Sequence, residues 1–191
     1  MGSPFDPIVE NIAQQDWLDS VAVPVQRIVE KVIAPGPIED TLSGEFLGHP
    51  LHPALVALPI GSWLGVNVLD LTGGDGRAAR RLLAFGNLAA LASAAAGATD
   101  WRRTTGAARR IGLVHAVLND AALALNLASS VSRRRDRRAR GAVLSLAASG
   151  VTAASGWLGG HLAYTLGVGV RATESPALPL GDDAERGRAV G

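Results

Sequence analysis

Four histidines are the side chains of this sequence best suited to chemistry, and two of them stand just before a long apolar segment. His49 and His52 are each followed by proline in the run Gly48-His49-Pro50-Leu51-His52-Pro53. Proline is tolerated in the first turn of a helix, where its missing N–H would have no partner. The run therefore predicts the start of an apolar helix carrying two imidazoles, and imidazole is the commonest metal ligand among side chains.

The other two histidines, His115 and His161, lie inside later apolar segments, and Asp100 ends another. An ionisable group in an apolar segment is costly and usually faces a cavity or a partner group. Histidines on facing helices of a bundle can hold haem or metal ions, and a carboxylate can add a ligand or orient an imidazole. We expect four side chains to bind haem b or, with Asp100 as a further member of the site, a transition-metal ion: His49, His52, His115 and His161. A six-coordinate haem would use His115 and His161, and the alternative is that the histidines only hydrogen-bond between helices.

The composition excludes several other kinds of site. The 191 residues include no cysteine, so disulfides, thiolate metal sites and iron–sulfur ligation are excluded within this sequence. Neither a Gly-x-Ser-x-Gly turn, nor a His-Glu-x-x-His run, nor a phosphate-binding glycine-rich loop is present, which disfavours hydrolases and nucleotide-binding proteins. Whether the chain is an enzyme stays open.

Four apolar segments must position the histidines. Each is close to the length of about 20 residues that crosses about 30 Å of hydrocarbon, and together they cover residues 53–71, 82–99, 111–131 and 141–166. Short, arginine-rich stretches separate them. The pattern predicts an all-α protein, a four-transmembrane-helix up-and-down bundle, and the alternative is a buried helical bundle of a soluble protein.

Two flanking regions complete the predicted organisation. Residues 1–46 form a short amphipathic helical N-terminal arm with eight acids and two bases, which we expect to pack on the membrane surface or the bundle, or to dock a partner. The breaker Pro35-Gly36-Pro37 precedes the four-helix transmembrane domain, residues 47–170. Residues 171–191, rich in proline, glycine and acids, form a disordered C-terminal tail by composition.

The distribution of arginine predicts the orientation. Nine arginines lie in the two segments that follow predicted helices one and three, which share one side of the membrane. Four lie on the other side, between helices two and three. Because basic loops stay in the cytoplasm, both termini are expected outside, in a bacterial plasma membrane. The six arginines of residues 133–140 favour contact with anionic lipid, and no nucleic-acid partner is expected. An up-and-down order then brings all four histidines and Asp100 to one depth near the outer face.

The double His-Pro run, together with later motifs, resembles a bacterial family of membrane proteins known as domain of unknown function 2231. The resemblance covers about residues 36–170, and the supporting motifs are Leu58-Pro59-Ile60-Gly61, Leu69-Asp70, Gly112-Leu113-Val114-His115 and Gly159-Gly160-His161-Leu162. It implies a membrane location. Relatives are often fused to a Rieske iron–sulfur domain, which implies electron transfer, although this cysteine-free sequence cannot ligate that cluster itself.

Three functions follow as hypotheses. The leading one is a small haem- or metal-binding redox component that exchanges electrons with a partner protein at the outer face. The second is an accessory subunit without a cofactor, and the third is a transporter of metal ions or protons. Two pairs of glycines at helix-packing spacing, Gly61 with Gly65 and Gly156 with Gly160, also allow a homodimer.

Overall fold

The computed structural model describes residues 4–170, and within that range every regular element is a helix. The helices are α1 Asp6–Ala13, α2 Asp19–Val32, α3 Pro37–Ser43, α4 Leu51–Leu55, α5 Ala57–Leu71, α6 Gly76–Trp101, α7 Gly106–Arg134 and α8 Arg138–Gly160. Short 3₁₀ turns precede α2 and α4, and α8 continues into a π-helical turn, His161–Thr165. The predicted tail, residues 171–191, lies outside the described residues.

Four helical segments are long and apolar enough to cross a membrane: Leu51–Leu71, Gly76–Trp101, Gly106–Arg134 and Arg138–Thr165. They confirm the predicted all-α fold with four spans. The helices run further than the apolar segments because alanine and arginine are good helix formers that extend each helix past the hydrocarbon. At the start of α6 the Asp75 carboxylate accepts a hydrogen bond from the Arg77 backbone N–H at 2.8 Å, which lowers the pKa of Asp75.

The interior of the bundle mixes apolar side chains with small polar ones, while many large apolar side chains point outward. The fully buried side chains include Leu83, Ile111, Val66, Asn126, Ser129, Ser145 and Ser155. Many leucines and valines of the spans are exposed, as is Phe85; examples are Leu64, Val68, Leu88 and Val143. Small residues allow close helix contact in lipid, and apolar side chains suit the surrounding hydrocarbon. The distribution is therefore typical of a membrane bundle.

The N-terminal arm packs on the ends of the spans that include Trp101 and Ile111. Leu18 and Ala22 contact Trp101 and Leu113 in one buried cluster. The Gln26 amide donates hydrogen bonds to the carbonyl oxygens of Trp101 at 3.1 Å and Thr104 at 3.0 Å. Because these two carbonyls lie at and just after the end of α6, the arm adds hydrogen bonds to the terminus of that helix.

Acids of the arm pair with the arginines around the turn between α6 and α7. Asp19 accepts from Arg109 at 2.9 Å and from Arg110 at 2.8 Å, both in the first turns of α7, and Glu39 pairs with both Arg102 and Arg103. Hydrogen bonds from Arg110 and Arg109 lower the pKa of the Asp19 carboxyl to about 2. These arginines therefore account for part of the arm's acidic composition.

The opposite end of the bundle has a buried ion pair. Arg133 donates to both carboxylate oxygens of Asp70, at 2.9 and 2.5 Å, and the two side chains are only 2% and 7% exposed. Two buried charges of opposite sign at the ends of α5 and α7 therefore satisfy each other.

Candidate functional site

A cavity of about 200 Å³ lies at the arm-side ends of the four spans. His52, His115 and Asp100 all line it, together with Val25 and Val29 of the arm. Its remaining walls are mostly glycine, alanine and larger apolar side chains. The cavity therefore brings three of the five predicted site residues together, at the end of the bundle where the sequence placed them.

His52, on α4, is oriented by the neighbouring span. Its Nδ1 lies 2.8 Å from the backbone carbonyl oxygen of Ser93, on α6. A carbonyl oxygen only accepts, so Nδ1 carries the proton and donates. In the neutral ring the other nitrogen, Nε2, carries the lone pair, and none of the hydrogen bonds found within residues 4–170 involves it. His52 is half-buried and presents an acceptor nitrogen at the cavity.

His115, on α7, is held in the same way by α8. Its Nδ1 lies 2.9 Å from the backbone carbonyl oxygen of Ser155, so this nitrogen also donates. Its Nε2 accepts a hydrogen bond from the Asn119 amide at 2.9 Å, and the Asn119 carbonyl oxygen accepts from the Ser155 hydroxyl at 3.0 Å. Each histidine and the serine whose carbonyl it contacts are almost equally far apart along the chain. The separation is 41 residues for His52 and Ser93 and 40 residues for His115 and Ser155.

A glycine one turn beyond each serine lets the imidazole approach the neighbouring helix. A Cβ atom at Gly97 would lie 2.9 Å from His52 Nδ1, and one at Gly159 would lie 2.8 Å from His115 Cε1. Both separations are shorter than side chains tolerate, so a larger residue would displace the ring. His52, which α6 holds, and His115, which α8 holds, are therefore supported by the same kind of contacts: a serine carbonyl and a glycine one turn later.

Asp100 is half-buried near the end of α6 and lines the cavity. None of the hydrogen bonds or ion pairs found within residues 4–170 involves its carboxylate. A Cβ atom at Gly169 would lie 2.8 Å from Asp100 Oδ2, so the turn that follows the last span packs directly against this group. A second acid, Asp120, also lines the cavity and is exposed on α7.

His49 and His161 do not line the cavity. His49 is exposed ahead of α4, and the His161 ring lies 6.3 Å from the Trp157 ring, centroid to centroid. In the part of the chain that the structure describes, no group of three or more histidine, aspartate or glutamate side chains lies close enough to hold a metal ion as it stands. Haem or metal binding by the predicted residues therefore stays a prediction.

Sequence reasoning missed the residues that orient the two imidazoles: Ser93, Gly97, Ser155 and Gly159. It also gave no role to Asp120. A signal was present, because both histidines are followed at nearly the same distance by a serine and then by a glycine one turn later. Comparing the two helix pairs with each other would have found it.

Comparison with known proteins agrees with the fold. A sequence family described as "Predicted membrane protein (DUF2231)" matches residues 48–172, which include all four spans. No curated protein and no solved structure matches the chain. The chain therefore belongs to this family of predicted membrane proteins, whose matched region begins just before His49 and covers the bundle that encloses the cavity.

Proposed function

We propose that this membrane protein binds one transition-metal ion in the cavity and serves as a small electron-transfer component, with His52, His115 and Asp100 as protein ligands. One observation carries the proposal: each imidazole donates from Nδ1 to a backbone carbonyl oxygen of a neighbouring helix. Metal-ligating histidines are usually oriented in this way, because the second hydrogen bond fixes the tautomer and raises the basicity of the other nitrogen.

Binding requires two local changes. His52, His115 and Asp100 must move closer together, because as they stand they do not form a group that can hold a metal ion. His115 Nε2 also accepts from Asn119, so the amide must turn away before this nitrogen can bind the ion. The loss of one neutral hydrogen bond is worth about 0.5–1.5 kcal/mol, which is small compared with the binding free energy of a metal–imidazole site. Asp100 supplies a negative charge beside the two neutral imidazoles, and imidazole with carboxylate suits iron, copper and zinc.

The cavity favours an ion over haem b. Its volume of about 200 Å³ is below the roughly 300–1,000 Å³ of pockets that enclose drug-sized ligands, and a porphyrin is at least as large as such ligands. The pair first expected for six-coordinate haem, His115 and His161, is also split, because only His115 lines the cavity. When bound, the ion would supply one-electron chemistry near the membrane face.

The pairing of the loop arginines supports the predicted orientation. All four arginines near the turn between α6 and α7 pair with acids of the arm: Arg102, Arg103, Arg109 and Arg110. These ion pairs explain why arginines lie at this end of the bundle even if it is not the cytoplasmic end. The larger arginine group at the other end is then expected to mark the cytoplasmic side. The cavity and the arm lie outside in this orientation, and an electron-transfer partner would dock there.

Metal analysis of the purified full-length protein tests the proposal. The protein in detergent is incubated with Cu²⁺ or Zn²⁺, freed of excess metal, and assayed for bound metal per chain. We expect about one ion in the wild type and in His49→Ala, and loss of that ion in His52→Ala and His115→Ala. Asp70→Asn is a second control, since Asp70 lies at the far end of the bundle. Wild-type protein that retains no more metal than His52→Ala would overturn the proposal and leave the accessory-subunit hypothesis.

A further inference from the structure

Asp120 is an acid in the middle of a membrane span. It lies about halfway along α7, which at about 1.5 Å per residue places it roughly 20 Å from either end of that helix. Its side chain is exposed on the outside of the bundle. No hydrogen bond or ion pair to it is found within residues 4–170. A carboxylate inside hydrocarbon is costly and normally faces a cavity or a partner, so its position requires an explanation.

The cavity opens beside Asp120 towards the lipid. Ala94 on α6 and Ala116 and Asp120 on α7 all line the cavity, and all three are also exposed on the outer surface of the bundle. The gap between α6 and α7 is therefore a lateral opening with two alanines at its edge. A molecule dissolved in the bilayer can reach the cavity through this opening without crossing the arm.

Three polar groups of the cavity have no hydrogen-bond partner within residues 4–170 and can accept one: the carboxyl groups of Asp120 and Asp100 and Nε2 of the neutral His52 ring. The other two polar side chains of the lining, His115 and Asn119, are hydrogen-bonded to each other. The surrounding walls are apolar, including Trp101 and Leu162. An occupant that complements them has a small ring with hydroxyl donors and an apolar tail.

We propose that the cavity is a lateral binding site for the head group of a membrane-dissolved quinol, with its hydroxyl groups donating to Asp120 and Asp100 and its tail in the lipid between α6 and α7. The volume of about 200 Å³ accepts a single six-membered ring, although it is small for haem. This site rests on the proposed electron-transfer function and shares Asp100 and His52 with the proposed metal site, so the quinol is expected to enter the metal-free cavity. It concerns binding alone, and it is tested in metal-free protein, so its failure is distinguishable from failure of the metal site.

Quinol binding is measured with chelator-treated, full-length protein in phosphatidylcholine nanodiscs, using decylubiquinol as the probe. Asp120→Asn replaces the carboxyl acceptor with an amide, and Ala116→Phe fills the opening. We expect each to weaken binding about tenfold, as for loss of one hydrogen bond. Ala124→Phe is the matched control, because Ala124 is exposed on the same helix but does not line the cavity. It should leave affinity unchanged.

A matched ligand isolates the hydrogen bonds. The dimethyl ether of decylubiquinol has the same ring and tail but no hydroxyl donor, so we expect it to bind at least tenfold more weakly. Equal affinity for the ether, or equal affinity of wild type and Ala116→Phe for the quinol, would overturn the proposal. Efficient disulfide cross-linking between two copies of Ala121→Cys would also overturn it, because the exposed face of α7 would then be a helix–helix interface.

Discussion

At the scale of single residues, two glycines control the position of the imidazoles. Replacing Gly97 or Gly159 with alanine introduces a Cβ atom where the ring of His52 or His115 now lies. The displaced ring loses its hydrogen bond to the backbone carbonyl, and loss of such an orienting contact typically weakens metal affinity about 10–100-fold. A competitive metal titration measures the change. Gly150→Ala, which meets nothing within 4 Å, should bind like the wild type.

Sequence reasoning found the depth of the histidines but not their direction. It grouped His52, His115 and Asp100 correctly because an up-and-down bundle brings those turns to one end. It also included His161, which lies at the same depth but outside the cavity. Gly159 faces His115, and a residue two positions further is turned by about 200° around an α-helix. The depth of a residue along the bundle follows from the order of the apolar segments. The direction in which its side chain points depends on how each helix is rotated about its own axis relative to the neighbouring helices.

At the scale of elements, the arm is fixed to the bundle by ion pairs that depend on pH. The folded pKa of Asp19 is about 2, below the value of about 3.9 for an unfolded aspartate. Its stabilising contribution is therefore fully present above about pH 4 and is lost as the pH falls towards 2. We predict that the arm becomes mobile over this interval.

A spin label on α2 detects the transition. The chain has no cysteine, so Arg27→Cys, at an exposed position of α2, provides one labelling site. Its electron paramagnetic resonance spectrum should broaden with docking above pH 4 and sharpen below it. With Asp19→Asn added, the label should already be mobile at pH 7. Glu30→Gln, which changes an exposed acid of the same helix, should keep the transition. An immobile label in Asp19→Asn would show that the apolar contacts alone hold the arm.

The arm also shows which interactions sequence patterns miss. Its acids and the arginines between α6 and α7 were each identified, but as separate features: a solvated amphipathic face and a topology signal. The structure joins them in pairs, such as Glu39 with Arg102, and Gln26 adds hydrogen bonds to the end of α6. Pairing between segments so far apart in sequence depends on the tertiary fold, and hydrophobic periodicity does not encode it.

At the scale of the whole molecule, the orientation in the membrane is a separate prediction. Single cysteines at Arg27 and Arg137 lie at opposite ends of the bundle, in the arm and in the turn before α8. A membrane-impermeant maleimide should label Arg27→Cys in intact cells, and Arg137→Cys only after lysis, because the arginine-rich end remains in the cytoplasm. The reverse labelling would place the cavity inside the cell and leave the four spans unchanged.

The number of spans was the most predictable feature, because their apolar length is written directly in the sequence. The buried Asp70–Arg133 pair was not predicted, although both residues were noted. Each charge was read from its neighbours along the chain, where it borders a polar loop. Only the packing of α5 against the remaining spans reveals that the two side chains are buried together.

The metal-edge X-ray absorption spectrum of zinc-loaded protein tests the central claim most directly. Zinc is redox-silent but accepts the same imidazole and carboxylate ligands. The account predicts two imidazole nitrogens at about 2.0–2.1 Å with oxygen completing the shell, and one imidazole fewer in both His52→Ala and His115→Ala. A spectrum with oxygen ligands alone, or one that neither substitution changes, would contradict a metal site formed by the two histidines of the cavity.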